Sequence, residues 1–128
     1  SNLRDWVVEK SGGAIARDRT ASIDLETVRR GPDAVATRLG ELPPNCRVVV
    51  VNALTRDDVA AFAAGLEIAE AAGRRFVCRS AADLAAARAG IAPRPPLDPA
   101  SLALPRGPVL TVVGSYVHNA IDPGLGKI

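Results

Sequence analysis

Hydrophobic residues in this chain fall into short runs separated by amphipathic segments. The clearest run is residues 47–52, in which four consecutive valines follow a proline-rich turn. Its apolarity is continuous rather than alternating, which is typical of a parallel strand buried on both faces. Residues 75–79 and 108–113 predict two further strands, and residues 22–26 predict a short edge segment that turns into a helix.

Segments with helical spacing lie between these runs. Thr55 is predicted to cap a long helix that Gly73 ends, and a second helix is predicted from Ser80 to Gly90. Residues 31–33 open another helix, with proline in its first turn. This order predicts an α/β fold of three layers, with a short, mainly parallel sheet flanked by helices.

Length and composition narrow the class of protein. The 128 residues are enough for one domain, and 48% hydrophobic with 23% charged residues excludes intrinsic disorder. No apolar run approaches the roughly 18 residues that a membrane span needs. The first residues lack the basic and apolar stretches of a secretion signal, so we expect a cytoplasmic protein without a membrane partner.

Charge and cysteine usage indicate no special partner. Sixteen basic residues, fourteen of them arginine, are interspersed with fourteen acidic ones, and aromatic residues make up only 3% of the chain. A nucleic-acid partner is therefore not expected. Cys46 and Cys78 are too few and too distant for a disulfide framework or a metal knuckle, so we expect two buried, reduced thiols and no metal site.

Polar residues follow the predicted strands at the points where they end. In open α/β sheets, ligands bind beyond the carboxyl ends of the strands. The residues there are Asn52, Arg79, Ser80, Gly114 and Ser115. A guanidinium, an amide and hydroxyl groups suit a small polar anion, because arginine can hold a carboxylate and the others can bond hydroxyls.

Several nearby residues also have a structural interpretation. Thr55, Ser80, Asp57 and Asp58 stand where helix caps and first-turn carboxylates are expected. Asp57 or Asp58 is equally a candidate for the base that deprotonates an acceptor hydroxyl. Arg79 has no capping interpretation, since a cation near a helix N-terminus is unfavourable.

The order of these features resembles the N-terminal domain of the four-carbon acid sugar kinase family. The resemblance runs from about residue 3 to residue 117. The segments that carry it are Ser22-Ile23-Asp24-Leu25 with Arg30-Gly31-Pro32, Val49-Val50-Val51-Asn52-Ala53 with Asp57-Asp58-Val59, Ala71-Ala72-Gly73-Arg74-Arg75-Phe76, Arg79-Ser80-Ala81-Ala82, Ala89-Gly90-Ile91 and Val112-Val113-Gly114-Ser115.

The resemblance implies an ATP-dependent phosphorylation of threonate-like, erythronate-like or oxo-tetronate-like acids. This domain would supply the substrate side, and a missing C-terminal domain would bind ATP and Mg²⁺. The family's Thr-Gly-Ala strand end has no counterpart before residue 3, so the chain is interpreted as a fragment that is inactive alone. The predicted domain is residues 3–117, followed by an irregular tail at 118–128.

The predicted roles follow from this assignment. Arg79 pairs with the substrate carboxylate, Asn52 and Ser80 bond its hydroxyls, and Gly114 and Ser115 lie close to it. These side chains are expected to converge on one rim of the sheet. Two alternatives stay open: a non-catalytic module that binds a ligand or docks another protein, and a receiver-like signalling domain. An unpaired sheet edge also makes a homo-oligomer conceivable.

Overall fold

The computed structural model describes residues 2–92 and then residues 94, 95, 98, 107, 108 and 110. Contacts divide the chain into two units, residues 1–93 and 94–128. The elements below belong to the first unit. The predicted strand at 108–113, the limit at residue 117 and the tail at 118–128 lie mostly or wholly outside the described residues and stay predictions.

The described elements are five helices and two strands. In chain order they are α1 (Leu3–Lys10), a 3-10 turn (Arg17–Arg19), β1 (Thr20–Ile23), α2 (Leu25–Arg29), α3 (Pro32–Gly40), β2 (Val48–Val51), α4 (Arg56–Ala71) and α5 (Ala82–Arg88). No helix in the described part is long and apolar enough to cross a bilayer.

The two strands form a parallel sheet. Thr20 pairs with Val48 at one end of the ladder and Ile23 with Val51 at the other. A parallel pair needs a connection that crosses back over the sheet, and α2 and α3 provide it. The predicted α/β fold with a short parallel sheet is confirmed.

One face of the sheet lies on the hydrophobic core. The core cluster joins β1, α2, α3 and α4 and consists of Ala21, Ile23, Val28, Val35, Leu39, Leu42, Leu66 and Ala69. Val49 and Val51 of β2 pack against it. Ser22 and Val50 alternate with these core-facing residues and face the other way, towards α1. Helices therefore flank the sheet on both faces.

Helix α4 begins and ends where local signals place it. The Thr55 hydroxyl accepts from the Asp58 amide at 3.2 Å, and the Asp58 carboxylate accepts from the Thr55 amide at 2.9 Å. This reciprocal pair is a capping box. Gly73 follows the last turn with φ of +90°, a conformation that glycine adopts without strain.

Three local predictions are wrong. First, residues 75–79 form no strand. The Arg74 side chain donates to the Leu39 and Leu42 carbonyls, and Phe76 packs on the core. Val77, in contrast, is fully exposed. This segment therefore contacts the core without pairing to a neighbouring strand.

Second, the two thiols are not both buried. Cys78 is exposed, Cys46 is half-buried, and both are free.

Third, the predicted burial of β2 on both faces is wrong. All four of its valines are half-buried rather than covered on both faces. Among the described residues β1 pairs with one edge of β2, and no described strand pairs with its other edge.

Candidate functional site

The carboxyl ends of β1 and β2 lie side by side, because the strands are parallel and in register. Asn52 follows β2, and its backbone N–H donates to the Ile23 carbonyl at 3.0 Å, which extends the ladder by one residue. Asp24 follows β1, and its carboxylate accepts from the Thr27 amide at 2.7 Å to cap α2. This bond holds the pKa of Asp24 below its usual value. Of these two described residues, Asn52 is therefore the one whose side chain makes no hydrogen bond to a described residue.

An open cleft of about 520 Å³ lies over the face of the sheet that looks away from the core. Ser22, Val50 and Asn52 share this face because side chains alternate along a strand. The start of α1 forms the opposite wall. The lining residues are Asn2, Leu3, Arg4, Ser22, Val50 and Asn52. Two asparagines, a serine and an arginine thus line the cleft together with two apolar residues, a combination that suits a polar ligand with several hydroxyl groups.

Arg4 holds α1 against β1. Its Nε donates to the Thr20 hydroxyl at 2.9 Å, and its Nη2 donates to the Thr20 and Arg17 carbonyls at 2.7 and 3.0 Å. The Arg19 and Ile23 carbonyls accept from the backbone N–H groups that flank β2, those of Arg47 and Asn52. The Thr20 carbonyl alternates with them and points to the outer edge of the sheet. Arg4 therefore donates to a carbonyl at the outer edge of the sheet, and it also lines the cleft.

The structure does not bring Arg79 to Asn52 by any contact among the described residues. The Arg79 guanidinium carbon lies 5.8 Å from the centroid of the Trp6 ring, in the range of a cation–π interaction. Trp6 belongs to α1, as Arg4 does. Arg79 and Asn52 thus both lie near α1, but of these two residues only Asn52 lines the cleft.

Ser80, which was also predicted to bind the ligand, is not among the described residues that line the cleft. Ser80 is exposed, and its hydroxyl donates to the Ala81 carbonyl at 3.1 Å. It does not cap α5 either, since Ala81 is the N-cap and makes no side-chain bond. Gly114 and Ser115 lie outside the described residues, so their predicted position on the rim stays a prediction.

Asp58 is engaged in structure. Besides the capping box, its carboxylate accepts from Arg29 Nε at 3.0 Å and from the Leu54 amide at 3.0 Å. The Arg29 bond, followed by the backbone bonds, holds the pKa of Asp58 well below its usual range. A buried carboxylate with so low a pKa and both oxygens occupied is a poor proton acceptor. The contacts of Asp58 favour the capping interpretation, and Asp57 is exposed in the first turn of the same helix.

Sequence reasoning missed three polar cleft residues, Asn2, Arg4 and Ser22. Asn2 caps α1 by accepting from the Arg4 amide at 3.0 Å, and Asp5 lies in the first turn. An N-cap residue followed by an early carboxylate is a helix-start signal that could have revealed α1. Ser22 stands on the cleft face by alternation once β1 is known, whereas no sequence signal marks the long-range bonds of Arg4.

The described residues contain no cluster of side chains that could ligate a metal ion. Within residues 2–92 and the few described beyond them, no group of three His, Cys, Asp or Glu side chains could hold a metal ion. No catalytic step involving ATP or Mg²⁺ is therefore assigned to them.

Comparison with known proteins identifies the family. The sequence model of the sugar-binding N-terminal domain family matches residues 1–88, more than half of the chain. The chain belongs to this family of sugar-binding N-terminal domains. Searches among curated proteins and among solved structures found no match. The matched region of the sugar-binding domain contains all the described residues that line the cleft.

Proposed function

We propose that this domain holds the substrate of an ATP-dependent kinase that phosphorylates four-carbon sugar acids such as threonate or erythronate. The observation that carries the proposal is the polar cleft over the face of the sheet that looks away from the core, with Asn52 at its carboxyl edge, within a domain of a sugar-binding family. Asn52 is central, because its amide offers a donor and an acceptor to neighbouring hydroxyl groups. Ser22, on the same face, adds a hydroxyl that can donate and accept.

The kinase part of the proposal rests on the resemblance seen in the sequence. A separate nucleotide-binding domain would bind ATP and Mg²⁺, and this chain would hold the acceptor in place. Positioning and electrostatic stabilisation are the main contributions that a protein makes to phosphoryl transfer, so a substrate domain without its nucleotide partner is expected to be inactive.

Calorimetric titration with threonate and erythronate tests the binding step. We expect Asn52→Ala to weaken binding by roughly 3- to 10-fold, the value of one neutral hydrogen bond. Asn45→Ala is the matched control, because Asn45 is an exposed asparagine that precedes β2 rather than following it. Failure of the parent to bind either acid, or an equal loss in both variants, would overturn the proposal.

Complementation tests the kinase step. The chain is incubated with threonate, ATP and Mg²⁺, with and without the nucleotide-binding domain of a four-carbon acid sugar kinase. Phosphorylated acid is expected by mass spectrometry only when both domains are present. Binding without any product in the complemented reaction would instead support the alternative of a non-catalytic ligand-binding module.

A further inference from the structure

Arg4 is the one charged residue among those that line the cleft in the described part of the chain. We propose that Arg4 binds the carboxylate of the ligand, so that the cleft selects sugar acids over uncharged sugars. This inference rests on the proposed function and names the residue that sets its specificity. The carboxylate role that the sequence suggested for Arg79 is thereby assigned to Arg4.

The hydrogen bonds of Arg4 leave part of its guanidinium available. Nε and Nη2 are bonded to Thr20 and Arg17, whereas Nη1 makes no hydrogen bond to a described residue. A guanidinium carries five N–H donors, two of them on Nη1. The free Nη1 group of a cleft-lining arginine can therefore donate to a carboxylate oxygen.

The same bonds fix the side chain before a ligand arrives. Arginine in a flexible state loses rotamer entropy when it binds, and each immobilised side chain costs about 0.5 to 1.5 kcal/mol. Three hydrogen bonds to β1 and the preceding turn already restrict the Arg4 side chain to one conformation. The preorganised guanidinium should therefore bind a carboxylate more tightly than an exposed, freely moving arginine would.

No described acidic residue forms an ion pair with Arg4. The adjacent acid in the chain, Asp5, forms an ion pair with Arg17. Among the described residues Arg4 has no carboxylate partner of its own, and its hydrogen bonds go to neutral oxygens. The cleft therefore carries a net positive charge, which favours an anionic ligand.

Arg79 has a different environment. Its guanidinium lies over the Trp6 ring and is not among the residues that line the cleft. It is also exposed, so its interaction with an anion would be weakened by water and salt. Arg79 is thus the natural control for a test of Arg4.

The test compares threonate with threonamide, which replaces the carboxylate by an uncharged amide of nearly the same shape. We expect the parent to bind threonate at least about 10-fold more tightly, since hydrogen bonds to charged groups exceed neutral ones by this order. Arg4→Gln should weaken threonate binding by about 10- to 100-fold and remove the preference for the acid. Arg79→Gln should change neither affinity more than about twofold.

The outcomes separate this inference from the proposed function. Absence of threonate binding by the parent overturns both. Threonate binding that survives Arg4→Gln, or that is lost in Arg79→Gln, overturns the role of Arg4 alone. Arg4→Gln also removes contacts between α1 and β1, so circular dichroism must confirm that it folds. If it does not fold, the parent's own discrimination between acid and amide decides, and equal affinities contradict the inference.

Discussion

Gly65 is the point of closest approach between α3 and α4. A Cβ atom placed on Gly65 would lie 2.5 Å from Val35 Cβ, 2.7 Å from Val35 Cγ1 and 2.6 Å from the Pro32 carbonyl oxygen. Non-bonded carbon atoms prefer about 3.5 to 4.0 Å. Two of these obstacles are the backbone of α3 and the first carbon of a side chain, so no rotamer change relieves them. We therefore predict that Gly65→Ala forces the two helices apart.

The expected magnitude combines two opposing effects. Overpacking a close contact costs about 1 to 3 kcal/mol, and the rigid neighbours place Gly65 towards the upper end. Alanine in place of glycine within a helix restores about 1 kcal/mol through backbone entropy. The net expectation is a loss of roughly 2 kcal/mol, a substantial part of the 5 to 15 kcal/mol typical of domains.

Urea unfolding followed by far-ultraviolet circular dichroism measures this change. The midpoint should fall by about 1 M with an unchanged slope, given typical slopes of 1 to 3 kcal/mol per molar. Gly40→Ala is the matched control: Gly40 is helical too, but a Cβ there meets nothing within 4 Å, so this variant should be as stable as the parent or more so. A Gly65→Ala protein that unfolds at the parent's urea concentration would refute the reasoning.

Three further predictions concern charged contacts. The folded-state pKa of Asp58 is lowered, so its contribution to stability is present at neutral pH and is lost progressively as the pH falls towards and below its ordinary pKa of 3.8. Asp58→Asn should thus be less stable than the parent at pH 7, and the difference should shrink at pH 2 to 3; an unchanged difference in urea midpoints would contradict this. Arg88 Nη2 lies 2.6 Å from a Glu70 oxygen, so Arg88→Met should loosen α5 from α4, and unaltered amide exchange in α5 would argue against it. Trp6 is the only tryptophan, so Arg79→Ala should shift its fluorescence at a cost of at most about 1 kcal/mol in stability, and an identical spectrum would exclude the stacked geometry.

Elements with strong local signals were predictable from the sequence. The valine run gives β2, Thr55 and Asp58 give the start of α4, and Pro32 opens α3. The apolar run at 75–79 failed because Phe76 reaches the core from an irregular segment. Whether such a run becomes a strand depends on hydrogen bonds to a neighbouring strand, which a single segment does not encode.

The candidate site was predictable only in part. The rule that ligands bind beyond strand ends located Asn52, because it needs only the end of one strand. The same rule did not locate Arg4, because the position of its side chain depends on hydrogen bonds to residues 13 and 16 positions away in the sequence. Arg79 was assigned a role from its position after a strand that does not form, and its actual neighbour is Trp6.

The central claim is that a sugar acid binds in the cleft between the sheet and the start of α1. Titration of the ¹⁵N-labelled protein with threonate, followed by amide chemical shifts, tests it most directly. The largest changes are expected at residues 2–4, Ser22 and residues 50–52. Saturable changes centred instead on the groove of Arg30 and Arg38 between α2 and α3, or no changes at all, would contradict the claim.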